Sequence, residues 1–402
     1  MAPQKTQVKH SSGRLPDYVE LIEDEAGFAA LEEEWEDLHL HCPSATPFQS
    51  WAWLYSWWEY YGEGYRLRLI TVRDEEGSLV GVLPLMLERG GVLGRLLFVG
   101  SGVTDYLDVL VREGWEGHVA RAGAWALKQM GSWRVADLQE LRPEAAAWDI
   151  LERWSGYKTS VWQSNCPIID VKPWEELLAS LSKNRRSTVR RTLRDAQSDG
   201  LSRELVGLDE SEQSGRKLVA LHRIAWQGRG IGPEHLTRRF EDHIATTARR
   251  MTARDLGGVS EFRRDDGEVV LSNLLLFGRD FVGAYLQGVS REALKRYQWS
   301  SLYIWDGLHI AQDKNSIRFD LLRGEEEYKL RWSSEVVANH RLVLGRDPLI
   351  WGIYASYHTL RYKLRDYAHS ERAPRWVKGT INKCRALGFA LQRRHLRRKS
   401  SS

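Results

Sequence analysis

Cysteine is scarce in this chain: the three residues among 402, Cys42, Cys166 and Cys384, lie far apart. Such spacing builds neither a disulfide framework nor a metal-ligand set, and it suits a reducing, cytoplasmic setting. Long apolar runs are missing as well. No stretch approaches the ~20 residues of a membrane span. The polar start (Gln4, Lys5, Lys9, His10, Ser11, Ser12) has no apolar core of a signal peptide. Acidic residues are missing from one end, where seven Arg and three Lys stand between Arg372 and Ser402 without an Asp or Glu. The whole chain carries +4, so the residues before Arg372 carry −6, and the positive balance belongs to the end segment.

What is present is a globular composition, 42% hydrophobic and 28% charged, over a length sufficient for two domains. Tryptophan is in excess at 18 residues; these either pack the core or line a groove for sugar or acyl chains. Residues 1–16 read as disordered. An acidic helix follows, with Phe28, Leu31, Trp35 and Leu38 at helical spacing, and then Pro47-Phe48-Gln49-Ser50-Trp51 enters a Trp-rich helix. A hairpin is expected next, Arg66 to Arg73 and Leu79 to Leu87 about Asp74-Glu75-Glu76-Gly77. A strand from Arg95 to Val99, a helix from Trp115 to Met130 and a strand from Arg134 to Leu138 complete the unit. The same order recurs. A hairpin spans Phe262 to Phe277 about Asp265-Asp266-Gly267, followed by a strand Phe281 to Gln287, a helix Ser300 to Asp313 and a strand Ile317 to Leu321. Even Val135-Ala136-Asp137-Leu138 faintly matches Arg318-Phe319-Asp320-Leu321, and a mostly helical connector separates the copies.

The most informative stretch runs from Ile317 to Trp332. Asp320 interrupts an alternating apolar strand, where an ionised carboxylate is costly unless paired. The spacing of Phe319, Asp320, Gly324, Glu326, Tyr328, Lys329 and Trp332 resembles the C-terminal signature of the CelD-like acyltransferases of cellulose biosynthesis. Those are a branch of the GNAT (N-acetyltransferase) superfamily, related to the Fem-type peptidyltransferases. The Pro47-Phe48 entry to the Trp-rich helix is similar to theirs too. The resemblance implies an α/β fold of two tandem GNAT-like domains, mixed sheets flanked by helices. It implies residues 17–165 and 231–345 as the domains, 166–230 as a helical connector and 346–402 as a basic amphipathic tail.

It also implies acyl-CoA (acetyl-CoA) as co-substrate, with no metal. The thioester would lie along the strand Phe281–Gln287, with Gln287 and Gly288 beside it. The helix start at Ser300 and Ser301 would face the pyrophosphate, as free amides and the helix dipole favour; either serine would equally serve as an N-cap. Relatives carry Gly-Tyr-Asp-Pro-like and Ser-Pro-Gly-like stretches where this chain reads Gln287-Gly288-Val289-Ser290 and Trp299-Ser300-Ser301. The missing glycine at the helix entry points to a different acyl donor or a weakened site.

For catalysis, Asp320 is the candidate base or orienting carboxylate, or else the partner of Lys329 in a structural pair. Tyr328 is the candidate proton donor, Lys329 a charge partner or oxyanion stabiliser, and Tyr285 a second candidate to protonate the thiolate or a packed aromatic. Asp105-Tyr106-Leu107-Asp108 is similar to an Asp-Tyr-x-Asp of the relatives. Asp105, Tyr106 and Asp108 would meet an acceptor amine or sugar hydroxyl, or else form an Asx-type turn. Arg185 belongs to a dense basic helix that would meet an anionic acceptor, a cofactor phosphate or tRNA, or simply face solvent. Without interleaved aromatics that helix makes a poor nucleic-acid platform. His222 and His235 flank a lid-like Gly228–Gly232 loop. The 372–399 segment places Val377, Ile381, Cys384, Gly388 and Leu391 on one helical face, suited to peripheral contact with an anionic membrane or to docking on the body.

The function implied is an acyl-CoA-dependent N- or O-acyltransferase acting in the cytoplasm, with or without membrane association. Its acceptor would be a small molecule or glycan precursor of the cell envelope or an exopolysaccharide. The alternatives are a Fem-type aminoacyl-tRNA-dependent transferase and a non-catalytic GNAT-fold partner in polysaccharide biosynthesis.

Overall fold

The computed structural model describes residues 18–91, 93–228 and 231–369. The first half contributes β1 (Val19–Ile22), β2 (Tyr65–Arg73), β3 (Leu79–Glu88), β4 (Arg95–Phe98), β5 (Leu110–Val111), β6 (Val135–Leu141) and the long β7 (Tyr157–Asp170). The second contributes β8 (Ser202–Leu205), β9 (Gly257–Arg263), β10 (Val269–Phe277), β11 (Phe281–Val289), β12 (Arg318–Asp320) and β13 (Glu335–Gly345). All are flanked by helices, so the expected mixed α/β class is what the chain adopts.

The order across the sheet is β1-β2-β3-β4-β6-β13-β7-β12-β11-β10-β9-β8, with β5 beside β3. It reads alike from both ends. Each half has an antiparallel hairpin, β2/β3 or β9/β10, and one parallel pair, β4/β6 or β11/β12. The two hairpins turn at Gly77 and Gly267, with φ of 90° and 84°, a region that a Cβ disfavours. The hairpin–strand–helix–strand order read from the sequence is therefore present twice.

The two expected sheets are joined into one. β7, which continues the first half, pairs with β12 of the second, while β13, which continues the second, pairs with β6 of the first. β7 and β13 also pair with each other, from Tyr157↔Gly345 to Ile168↔Glu335. β13 and β7 thereby cover the edges of β6 and β12, which left bare would be open templates for other strands.

The halves also share a core. Trp51–Tyr61 forms a helix, N-capped where Trp53 N–H donates to Ser50 Oγ (3.2 Å). Trp53 meets His243 edge-on, and Tyr60 Oη bonds Thr246 Oγ1 at 2.7 Å, both on the second-half helix Arg238–Ala253. Trp35, Trp53 and Trp57 are fully buried, so packing accounts for most of this tryptophan-rich region. Within the residues expected as tail, Pro348–His369 is a helix laid on β13 through Ile350, Trp351 and Tyr354. Residues 1–16, Arg229 and Gly230 of the glycine-rich loop, and the 372–399 segment lie outside the described residues.

Candidate active site

β11 outruns its parallel partner. β12 pairs with β11 only over Phe281–Gly283, and from Ala284 to Val289 β11 has no strand on that side among the described residues. After Asp320 the chain turns away through Leu322 (φ 55°) and Gly324 (φ 135°) into the helix Glu327–Trp332. A left-handed leucine is strained backbone of the kind that collects at functional sites. The divergence is bordered by two clefts. One, of ≈ 190 Å³, is lined by Asn184, Arg185, Ser300, Ser301, Tyr328 and Arg331 among others. The other, of ≈ 240 Å³, is lined by Asp105, His222, His235, Tyr285, Gln287, Arg323 and Lys329 among others. Gln287 Nε2 donates to Tyr328 Oη over 3.0 Å, linking the walls of the two clefts.

The serine cleft meets the first turn of the helix Trp299–Asp313, which has Gln298 at its N-cap and no side chain covering its amides. Ser301 is buried and its Oγ finds no partner among the described residues. A helix dipole, an unsatisfied hydroxyl and the guanidinium groups of Arg185 and of Arg331, the latter paired with Glu327, together fit an anion such as a pyrophosphate. Arg185, for which the sequence leaves an anionic acceptor, a cofactor phosphate, tRNA or plain solvent open, lines this cleft. Gly288 lies elsewhere. A Cβ at Gly288 would stand 2.6 Å from Leu221 Cβ and 2.7 Å from the Leu218 carbonyl. Its bareness lets the helix Leu208–Ala225 press on β11.

In the histidine cleft one carbonyl sets the tautomers. His222 Nδ1 lies 2.8 Å from the Gln287 carbonyl, which only accepts, so Nδ1 carries the proton. Burial lowers His222 to about 4 and His235 to about 3, so both are neutral near pH 7. His222 Nε2 must then accept from His235 Nδ1, 3.0 Å away. His235 is left with a lone pair on Nε2, and its ring is stacked on Phe240 at 4.3 Å. Beside them Arg323 pairs with Asp105 (3.2 Å) and donates to Glu140 Oε1 (2.9 Å). Burial pushes the Asp105 carboxyl up, and Arg323 opposes this. Lys329 Nζ donates to the Arg323 carbonyl (2.9 Å) and pairs with Glu326 (3.3 Å). The expected Asp320–Lys329 pair is therefore replaced by a Glu326–Lys329 pair. Tyr285 lines this cleft, but its hydroxyl donates to the Val103 carbonyl (2.7 Å).

Asp320 lies behind both clefts. It accepts from Tyr106 Oη at Oδ2 (2.7 Å) and from Leu322 N–H at Oδ1 (2.8 Å). The first half repeats the arrangement, with Tyr354 Oη donating to Asp137 Oδ2 over 2.6 Å. Burial pushes Asp320 from an ordinary 3.8 up to about 6, against the pull of its two donors. Because the folded state holds this proton more tightly, the group's stabilising contribution is complete below the ordinary value and is lost as pH rises through about 6. Asp320→Asn is therefore expected to gain on wild type as pH rises between those limits, by about 2–3 kcal/mol, and then level off. Urea midpoints of both proteins across that range check it; a pH-independent difference would contradict the assignment. Asp108 is removed from the clefts. Its carboxylate accepts from Ala146 N–H (2.8 Å) and Ala147 N–H (2.9 Å), capping the helix Ala147–Arg153.

The sequence brings out Asp105, Gln287 and Tyr328, which meet here, but not Arg323, Glu140 or the histidine relay. Arg323 lies inside the signature, but its carboxylate partners Asp105 and Glu140 come from the other half and leave no mark near it in the chain. The histidines had one signal, their places on either side of the glycine-rich loop.

Residues 183–330 match the model of the acetyltransferase (GNAT) domain. No curated protein sequence matches the chain. Among solved structures, FemX is similar at 12% identity and a TM-score of 0.55, covering 77% of this chain and 95% of its own. A domain assigned to a lysylphosphatidylglycerol synthetase of Agrobacterium fabrum is similar at 13% identity and a TM-score of 0.52, over 83% of this chain and 96% of its own. L-PGS of Bacillus licheniformis is similar at 11% identity and a TM-score of 0.50, over 84% and 96%. At these identities the likeness speaks for the fold, and it extends over both halves.

Proposed function

We propose that this protein transfers an acyl group from a thioester held in the serine cleft to an amine or hydroxyl held in the histidine cleft. The observation that carries this reading is the Gln287–Tyr328 hydrogen bond, which joins the walls of the two clefts beside the unpaired edge of β11. The free edge suits an extended pantetheine-like arm, and the helix start with Ser300, Ser301 and Arg185 suits its phosphates. The acyl-CoA, when bound, supplies an activated carbonyl and a thiolate leaving group.

The chain's residues then handle the protons. His235 Nε2 accepts the proton that the nucleophile sheds as its bond to the acyl carbon forms; bond formation makes that proton acidic enough for a weak, buried base. Tyr328 stays protonated because burial pushes its hydroxyl well above the ordinary range. Its oxygen already accepts from Gln287, so its own hydrogen is free to pass to the departing sulfur as the carbon–sulfur bond breaks. Asp320 acts through Tyr106, as a positioning residue. Asp105 and Glu326 line the acceptor cleft as ion pairs with Arg323 and Lys329, a polar wall suited to an amine or a hydroxyl alike.

The Phe319–Trp332 signature supports the CelD-like branch, and with it a cytoplasmic enzyme acting on a cell-envelope or exopolysaccharide precursor. A second reading, an aminoacyl-tRNA donor, is favoured by one observation. The helix Lys183–Ser198 that brings Arg185 to the serine cleft continues outward with exposed Arg190, Arg191 and Arg194. Titration of acetyl-CoA, longer acyl-CoAs and aminoacyl-tRNA into wild type and Arg185→Glu separates the readings. Micromolar acyl-CoA binding, weakened about tenfold by Arg185→Glu, is expected. Binding of the tRNA alone would favour the second reading, and binding of neither would leave a non-catalytic partner protein.

A further inference from the structure

The helix Pro348–His369 is attached to the sheet by one face. Trp351 Nε1 donates to the Val343 carbonyl (3.2 Å), Tyr354 Oη to Asp137 (2.6 Å), and Tyr362 stacks near Trp162 (5.3 Å). The other face is apolar and open: Leu349 is 71% exposed, Ile353 65%, Tyr357 57%, Leu360 58% and Leu364 56%. At about 100° per residue these five side chains fall within an arc of about 80°. A stripe of this kind on a helix about 33 Å long is more than scattered surface apolarity. Exposed Arg361 and Lys363 border it, one on either side. Shortly after the helix ends, the chain enters the stretch of seven Arg and three Lys without an acid.

We propose that this face docks on an anionic lipid surface, the stripe sinking to the boundary of headgroups and acyl chains. Arg361 and Lys363 would meet the lipid phosphates, and the acid-free sequence from Arg372 onward adds net positive charge to the same chain end. The contact is peripheral, since no helix among the described residues is long and apolar enough to cross a membrane. The spacing of Ile353, Tyr357, Leu360 and Leu364 would also suit a helix seam with a second copy. Charge decides against that occupant: a pair of copies would gather two acid-free cationic segments, whereas an anionic bilayer neutralises each one. The proposal stands or falls independently of the thioester reading, because the stripe lines neither active-site cleft.

The test is co-sedimentation of the full chain with vesicles of phosphatidylcholine, and of phosphatidylcholine with phosphatidylglycerol. The comparison is with a variant carrying Ile353→Gln, Leu360→Gln and Leu364→Gln. Wild type is expected to bind the anionic vesicles only, less so as salt rises. The variant is expected to bind at least about tenfold more weakly, with unchanged unfolding midpoint and unchanged thioester binding. Three results would overturn the proposal. Wild type could ignore anionic vesicles. The variant could bind as wild type does, assigning the attraction to the cationic segment alone. Light scattering could reveal a dimer that binds no lipid and that the variant dissolves.

Discussion

Turnover is expected to fall by about 10²- to 10⁴-fold when His235 is replaced by alanine, while the serine cleft binds thioester as before. The loss follows from the tautomer chain. The Gln287 carbonyl fixes the proton on His222 Nδ1, His222 accepts from His235, and of the two rings only that of His235 keeps an unused lone pair, on Nε2. Burial lowers His235 to about 3, so the acid limb of its rate profile belongs far below the ordinary histidine value near 6.5. CoA release with any amine or hydroxyl that wild type acylates measures the effect. A variant within threefold of wild type would remove His235 from the chemistry and leave it a packing residue against Phe240.

The second large effect concerns stability. Arg323→Met is expected to cost about 3 kcal/mol. Arg323 is about one-third exposed, but Asp105 and Glu140 beneath it are 9% and 2% exposed in their side chains. Removing the guanidinium leaves two buried carboxylates without the cation that pairs with both, and such orphaned charge is costlier than the pair was worth. Because Asp105 and Glu140 come from the first half and Arg323 from the second, the loss also loosens the wall of the acceptor cleft. Urea unfolding gives the number. Adding Asp105→Asn and Glu140→Gln to Arg323→Met should recover most of it; a triple variant as unstable as the single one would mean that lost packing, and not charge, sets the cost.

The duplicated order of elements is legible in the sequence because hairpin turns, alternating strands and amphipathic helices are local patterns. Asp320 is legible for a similar reason, as a carboxylate in an apolar run. Its partner is not. Tyr106 reaches it from the other half, and nothing near Asp320 in the chain names that tyrosine over nearby Lys329. Asp108 shows the opposite failure: a motif shared with relatives points to the acceptor, yet two backbone amides at the start of the helix Ala147–Arg153 already occupy the carboxylate. β7 lacks the alternation that announces a strand. It begins with exposed Tyr157 and Lys158 and ends in consecutive buried residues from Cys166 to Ile169, because its two ends face different surroundings. The partner exchange of β7 and β13 leaves no local trace, since either strand would read the same whichever half it joined.

That exchange sets a timetable for synthesis. β6 is complete by Leu141, but the strand that covers it, β13, begins only at Glu335. At about 5–20 residues per second a ribosome needs about 10–40 s to make the intervening chain. Throughout that interval β6 lacks the strand that covers it in the finished sheet, where β7 lies between β12 and β13 instead. The nascent protein therefore carries an uncovered sheet edge for about half of the time taken to make these 402 residues, and whatever shields that edge in the cell does so before the joined sheet exists.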